Sequence, residues 1–255
     1  MTAGSFPAAP AERRAIVVLK QHDVEKCSYE PGAARVLLDE EVYVLQFPVR
    51  QIGEVPASLQ NIIDAGLARP GVVLVQSPFD ADSYEDAELA PQRFALAKHM
   101  HFSTFCMHLG AKEVSVKQIV LRTRSGTSTA DVKTQRLGQS AQVQGRIGEL
   151  ARFRAEMNLR DEFSGGPADV ATAEKLLRRT GLWSDSSLRS LLDMRRDAKN
   201  QLRTRELALS LSNEAKTNLS VVGRLKVPAF VSLSAAYDRI AREQHDFTLT
   251  VVVRF

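Results

Sequence analysis

FTLTVVVRF, residues 247–255, is the stretch of sequence that decides the fold. One side of an extended chain here carries Phe247, Leu249, Val251, Val253 and Phe255, and this period of two is typical of a β-strand with one buried face. Five consecutive apolar residues near the other end of the chain, Ala15 to Leu19, predict a second buried strand. Because both ends have strand patterns, we expect an α+β protein with a mixed or largely antiparallel sheet built from N- and C-terminal strands.

Further patterns in the first 133 residues predict alternating strands and helices. Val36–Leu38 and Val42–Leu45 flank three acidic residues, which favours a tight hairpin. A helix over 57–67, a strand over 72–75 and a strand over 114–123 follow. A long helix ends at Gly110, because glycine readily adopts the left-handed conformation that terminates helices.

Residues 134–204 change character and predict an inserted basic helical segment. Helical patterns cover 146–159, 169–180 and 186–201. The first of them overlaps the end of a polar stretch, 123–148, which has too few apolar residues to bury much surface. We expect that polar stretch to be exposed, mobile or ordered by a partner. The predicted organisation is a single α+β domain: 1–133 is its strand-rich part, 134–204 is a helical, Arg-rich insertion, and 205–255 supplies C-terminal strands that complete the same sheet.

The distribution of charge is more informative than its total. The chain has 34 Lys and Arg against 30 Asp and Glu, a net charge of only +4. Residues 1–132 hold 13 basic and 16 acidic side chains, residues 133–205 hold 15 and 9, and residues 206–255 hold 6 and 5. The basic surplus therefore lies in the helical middle, where arginine predominates. Arginine favours bidentate contact with carboxylates and phosphates.

This arginine surplus predicts a non-enzymatic interaction protein that engages an acidic partner. The partner is an acidic protein, a nucleic acid or an anionic membrane surface, and the sequence does not choose among them. Few aromatic residues lie among the arginines, which disfavours stacking on single-stranded nucleic acid. The candidate partner-binding residues are Arg152, Arg154, Arg178, Arg179, Arg189, Arg195 and Arg196.

A second hypothesis comes from a long alternation of apolar and polar residues over 206–227. With Asn213–Thr217 as the turn, the pattern predicts an amphipathic β-hairpin with Leu211 near Leu219 and Leu209 near Val221. Such a hairpin suits a conditional, pore-forming-type protein that acts on membranes as a homo-oligomer. The candidate membrane-hairpin residues are Leu207, Leu209, Leu211, Leu219, Val221 and Leu225.

A third hypothesis is a hydrolase built on His101, His108 and the acidic loop Asp80–Asp86. The two histidines share a helical face but lie seven residues apart, roughly 10.5 Å of rise, which is too far for one zinc ion. The acidic loop lacks the glycine and the final glutamate of a calcium loop, and Ser83 with Asp86 resembles a helix-capping box instead. We therefore expect no metal site.

Other features of the sequence exclude several classes of protein. It contains no GxSxG, P-loop, GxGxxG or HExxH motif, so we expect no cofactor and favour a protein without catalytic activity. No stretch approaches the roughly 18 consecutive apolar residues of a transmembrane helix, and we expect no signal peptide, because the apolar run Ala15–Leu19 is only five residues long. Cys27 and Cys106 lie far apart, without the spacing of a zinc site, so we expect a cytoplasmic location.

Overall fold

The α+β class predicted from the sequence is confirmed by the computed structural model, which describes residues 6–29, 34–49, 55–123, 126–131, 148, 151, 153–157, 160–197, 202–225 and 246–255. The chain divides into two compact units. Unit 1 comprises Met1–Pro91 and Asn213–Gln244, and unit 2 comprises Gln92–Ser212 and His245–Phe255. Among the described residues, no helix is long and apolar enough to cross a membrane.

Unit 1 contains a mixed four-stranded sheet in the order β2-β1-β3-β4. Its strands are β1 (Ala15–Lys20), β2 (Val42–Phe47), β3 (Val73–Gln76) and β4 (Tyr84–Asp86). The predicted strand at Ala15–Leu19 is thus confirmed, and all five of its residues are buried. It runs parallel to β2 and antiparallel to β3. The core of this unit contains Ile16, Val18, Leu45, Ile62, Leu74 and Tyr84.

In the first part of unit 1, Met1–Pro91, the described helices are α1 (Gln21–Tyr29), α2 (Ala57–Asp64) and the start of α3 (Ala90–His108). The helix predicted over 57–67 is confirmed by α2. The hairpin predicted around residues 39–41 is wrong, because Ala34–Leu37 forms a 3₁₀ turn. Because this turn, and not a strand, directly precedes β2, β2 pairs in parallel with β1 instead. The capping box predicted at Ser83 is also wrong, because Tyr84–Asp86 is a strand paired with β3.

Unit 2 contains a five-stranded antiparallel sheet, with strands in the order β6-β5-β9-β8 and β7 also paired with β5. The strands are β5 (Glu113–Thr123), β6 (Gly126–Asp131), β7 (Arg160–Glu162), β8 (Thr204–Ser210) and β9 (Asp246–Arg254). The strand predicted at 247–255 is β9, the strand between β5 and β8. Its alternating residues Phe247, Leu249, Val251 and Val253 are buried, as the pattern predicted.

Two short helices from the predicted basic segment complete unit 2: α4 (Val170–Arg179) and α5 (Ser186–Arg196). Both were predicted, and both begin at an aspartate cap, Asp169 and Asp185. Gly181, with φ +69°, separates them. Among the described strands of the first 133 residues, β1 to β4 form one sheet, and β5 and β6 belong to the other. In that second sheet β9 pairs with both β5 and β8. The sequence-based boundaries at 133/134 and 204/205 stay a prediction, and most of 123–148 lies outside the described residues.

The β-hairpin predicted over 206–227 is wrong. Its first arm is β8, but Asn213–Arg224 forms a helix, α6. The buried residues of α6 are Ala215, Asn218, Val221 and Val222, which recur at three- and four-residue spacing, as on one face of a helix. The residues predicted to face one another across a hairpin are therefore divided. Leu207, Leu209 and Leu211 are buried in unit 2, whereas Leu219, Val221 and Leu225 belong to unit 1.

Gly110 ends α3 in the predicted left-handed conformation, with φ +82°, and its backbone lies against that of Gly166. A Cβ atom at Gly110 would overlap the carbonyl oxygen of Gly166. The close approach fits the hydrogen bond that the Asp169 amide donates to the His108 carbonyl, 2.7 Å away. Gly110 is therefore required both by its dihedral angle and by its neighbour.

We expect Gly110→Ala to lower the free energy of unfolding by at least about 2 kcal/mol, because it adds backbone strain and a clash that no side-chain movement relieves. The matched control is Gly223→Ala in α6, where no described atom outside the helix's own backbone and the two neighbouring residues lies within 4 Å of the new Cβ. This control should stabilise the protein by about 0.5–1 kcal/mol, since alanine favours helix. Urea denaturation measures both changes, and equal effects would contradict the assignment.

Candidate binding surfaces

The helices α4 and α5 position the predicted arginines by burying their apolar sides. Ala173, Leu176 and Leu177 of α4 and Leu188, Leu191 and Leu192 of α5 are buried. The Asp169 carboxylate accepts a hydrogen bond from the Thr172 amide at 3.0 Å, which lowers the pKa of Asp169. Because the apolar sides of both helices are buried, most of their charged side chains lie on the exposed sides, as an amphipathic pattern requires.

Glu174 joins the two helices through two of the predicted arginines. Its carboxylate accepts hydrogen bonds from Arg178 at 2.8 and 3.0 Å and from Arg196 of α5 at 2.7 Å. These guanidinium groups, that of Arg178 first, hold the pKa of Glu174 below its usual value. Arg178 also lies 3.9 Å from the centre of the Trp183 ring. Arg178 and Arg196 therefore have partners within the protein while remaining half exposed.

Arg195 occupies a structural position. Its Nε donates a hydrogen bond to the carbonyl oxygen of Leu109, 3.1 Å away, at the end of α3. Its guanidinium lies 4.4 Å from the centre of the Phe255 ring. A cation that satisfies a helix C-terminus and covers an aromatic face contributes to stability. Replacing it would test folding as much as binding.

Among the predicted partner-binding residues, Arg179 and Arg189 are the best placed to contact a partner. Both are exposed, and within the described part of the chain neither has a carboxylate at ion-pair distance. Arg179 lies close enough to His101 to lower the pKa of that imidazole, although burial is the larger cause. Arg154 is half buried in the stretch 153–157. Arg152 lies outside the described residues.

We define the α4–α5 surface by eight exposed or half-exposed charged side chains of the two helices and of the residue after α5, leaving out Arg195 and the N-terminal caps Asp169 and Asp185. They comprise five cations and three carboxylates: Lys175, Arg178, Arg179, Arg189 and Arg196, with Glu174, Asp193 and Asp197. Along α5, Arg189, Asp193 and Arg196 recur at four- and three-residue spacing and so share one side of the helix. The surface is therefore cationic in sum but contains both signs of charge.

A buried ion pair fixes the start of α5. Lys98 is 3% exposed, and its ammonium group donates hydrogen bonds to Asp185 Oδ2 and to the carbonyl oxygen of Ser210, each at 2.8 Å. Asp185 in turn accepts a hydrogen bond from the Ser187 amide at 3.1 Å and caps α5. One lysine of α3 thus ties together a helix start and the end of β8. Sequence reasoning gave Lys98 no role, because a single lysine in a long helix has no distinguishing pattern.

A groove at one end of the unit 2 sheet was also missed. It is lined by residues from four parts of the chain that are distant in sequence: Lys112, Glu113, Arg160, Glu162, Phe163, Arg203, Thr204, Arg254 and Phe255. Pairing across the sheet places Thr204, Arg254, Glu113 and Glu162 side by side in one row. Such a row forms only when four strands pair, so no local motif in the sequence could reveal it.

The aspartates of the hydrolase hypothesis have local structural roles. In the acidic loop, Asp82 pairs with Arg13 at 2.9 Å, and Asp80 and Asp86 accept hydrogen bonds from main-chain amides two residues onward. His101 and His108 lie on α3. Burial raises the pKa of the neighbouring Cys106 thiol well above its usual value. Within the described residues, no three His, Cys, Asp or Glu side chains are grouped as metal ligands.

Comparisons with protein-family models, curated proteins and solved structures find no match to this chain.

We expect the Lys98–Asp185 pair to be asymmetric under substitution. Asp185→Ala removes the cap of α5 and leaves a buried ammonium without its counter-ion, which should cost roughly 3–5 kcal/mol. Lys98→Met leaves Asp185, whose side chain is 23% exposed, free to be hydrated and still able to cap. The methionine variant should therefore lose less stability. Urea denaturation of both variants decides the matter, and a larger loss in Lys98→Met would contradict this role for the pair.

Proposed function

We propose that this protein is a binding protein that engages an acidic segment of another protein through the α4–α5 surface. The observation that carries the proposal is the exposure of Arg179 and Arg189 without a carboxylate at ion-pair distance among the described residues. With no carboxylate paired to them in the described part of the chain, these arginines have donors to offer a partner, and their planar guanidinium groups suit bidentate contact with carboxylates.

The mixture of charges on this surface favours a protein over a nucleic acid or an anionic membrane. Asp193 is two-thirds exposed and lies on the same side of α5 as Arg189 and Arg196. A uniform polyanion laid along this side would bring its charges against that carboxylate, at a cost in repulsion. A protein segment can instead place its carboxylates against the arginines and a donor against Asp193.

The cytoplasm is the compartment we propose for this activity. Cys27 and Cys106 are both buried and form no disulfide within the described residues. Protein thiols persist in a reducing compartment. The two-cysteine content supports the same location, since secreted domains of modest size often carry disulfides.

The test compares Arg179→Glu/Arg189→Glu with a control of equal charge change. The probe is a fluorescent peptide of about 15 residues rich in Asp and Glu, titrated at several salt concentrations. We expect the charge reversal to weaken binding about tenfold or more, because two ion pairs of up to about 1 kcal/mol each are lost and repulsion is added. The control is Lys20→Glu/Arg69→Glu, on exposed cations of unit 1, which should change affinity less than about twofold.

Equal loss in both double variants would show that only net charge matters and would overturn the proposed surface. Two further probes test the class of partner: a single-stranded oligonucleotide and vesicles containing phosphatidylglycerol. Tighter binding of either than of the acidic peptide would overturn the protein partner. An oligonucleotide would also reveal itself by a steep dependence of affinity on salt, set by the number of phosphates neutralised.

A further inference from the structure

The groove at the end of the unit 2 sheet has a volume of about 460 Å³, within the size range of small-molecule sites. Four cations among the described residues line it: Lys112, Arg160, Arg203 and Arg254. The last three come from β7, from the residue before β8 and from β9, so their guanidinium groups belong to three different strands or strand ends. Two carboxylates, Glu113 and Glu162, also line it, which leaves a surplus of positive charge.

Ion pairs within the groove account for only part of this charge. Glu113 Oε2 lies 3.3 Å from both Arg160 and Arg254, and Glu162 lies 2.8 Å from Arg160. Arg203 is exposed, and within the described residues no carboxylate lies at ion-pair distance from it. Lys112 contacts the main-chain oxygen of Phe255 at 3.4 Å. The ion pairs orient Arg160 and Arg254, while Arg203 and Lys112 keep donors for a ligand.

The groove also contains two aromatic rings, one of which is held firmly. Phe255 has Arg195 against one face of its ring, and Arg195 is fixed by its hydrogen bond to the Leu109 carbonyl. The Phe255 amide donates a hydrogen bond to the Arg203 carbonyl oxygen, 2.9 Å away. The residue that carries the ring is therefore bonded through its main chain to the residue that carries the cation. Phe163 is similarly attached, because its amide donates to the Lys112 carbonyl at 2.8 Å. A ring fixed in this way offers a stacking surface at little entropic cost.

We propose that this groove binds a small phosphate monoester that carries a planar ring, of the nucleoside monophosphate class. Guanidinium groups from several strands suit a phosphate better than a carboxylate, because its oxygens accept hydrogen bonds in several directions and it carries up to two charges. The planar ring would stack on Phe255 and Phe163 beside the cations. This site is distinct from the α4–α5 surface, and the residues that line the two do not overlap.

The experiment measures binding by isothermal titration calorimetry with three probes: adenosine monophosphate, inorganic phosphate and adenosine. We expect adenosine monophosphate to bind most tightly, inorganic phosphate more weakly, and adenosine most weakly of the three. Arg203→Gln should weaken both phosphate-containing probes about tenfold or more, because it removes charge-assisted hydrogen bonds. Phe255→Leu should lower the affinity for adenosine monophosphate and change the affinity for inorganic phosphate by less than about twofold.

Lys117→Gln is the matched control for Arg203→Gln. Lys117 is exposed on β5 and pairs with Glu206 at 3.1 Å, and it does not line the groove. Unchanged affinity in Lys117→Gln together with the loss in Arg203→Gln supports the site. Absence of binding by all probes, or equal loss in both variants, would overturn it. Equal affinity for inorganic phosphate and adenosine monophosphate would overturn the ring contact, and tighter binding of a single-stranded oligonucleotide would overturn the small-molecule class.

Discussion

The burial of Lys98 is the constraint on which the arrangement of unit 2 depends. An ammonium group that is almost inaccessible to water is stable only with a counter-ion and acceptors close by. Asp185 and the Ser210 carbonyl meet this need at 2.8 Å each, and by doing so they fix the start of α5 and the end of β8 against α3. The exposed arginines of α5 therefore project from a helix whose first turn is anchored by charge. Loss of the contacts of Lys98 would release the start of α5, and the candidate binding surface would move with that helix.

Unit 1 uses the same device at its own sheet. Arg13 is 4% exposed and donates to Tyr84 Oη, to the Ala81 carbonyl and to Asp82, at 2.7 to 2.9 Å. Asn218 of α6, fully buried, donates to the Gln76 carbonyl and accepts from Arg14. Two adjacent arginines ahead of the first strand thus join that strand to the acidic loop and to α6. Side-chain hydrogen bonds with charged donors are stronger than neutral ones, which suits them to holding segments that are distant in sequence.

Patterns in the sequence predicted an element correctly where only one period fitted its residues. They predicted it wrongly where both a period of two and a helical period fitted the same residues. Ala15–Leu19 and Phe247–Phe255 have strand patterns without competition, and α4 and α5 have clear caps. Over 213–224, however, Ala215, Leu219 and Val221 satisfy a period of two, while Ala215, Asn218, Val221 and Val222 satisfy a helical one. A sequence pattern treats Asn218 as polar and so as exposed. Its burial depends on Gln76 and Arg14, more than 140 residues away, and tertiary contacts of this kind override local pattern.

The distribution of charge along the sequence indicates only part of the two candidate sites. The surplus of arginine falls in the stretch that contains α4 and α5, but counting it assigned equal roles to side chains that the fold uses differently. Arg195 is committed to Leu109 and Phe255, Arg178 and Arg196 to Glu174, and Arg179 and Arg189 remain exposed. Whether an arginine serves stability or binding depends on which acceptors the fold brings near it. The groove at the sheet end shows the converse, since Lys112, Arg160, Arg203 and Arg254 form a cationic cluster only because four strands pair in one order. Composition shows how much charge a segment carries, and strand pairing determines where that charge is concentrated.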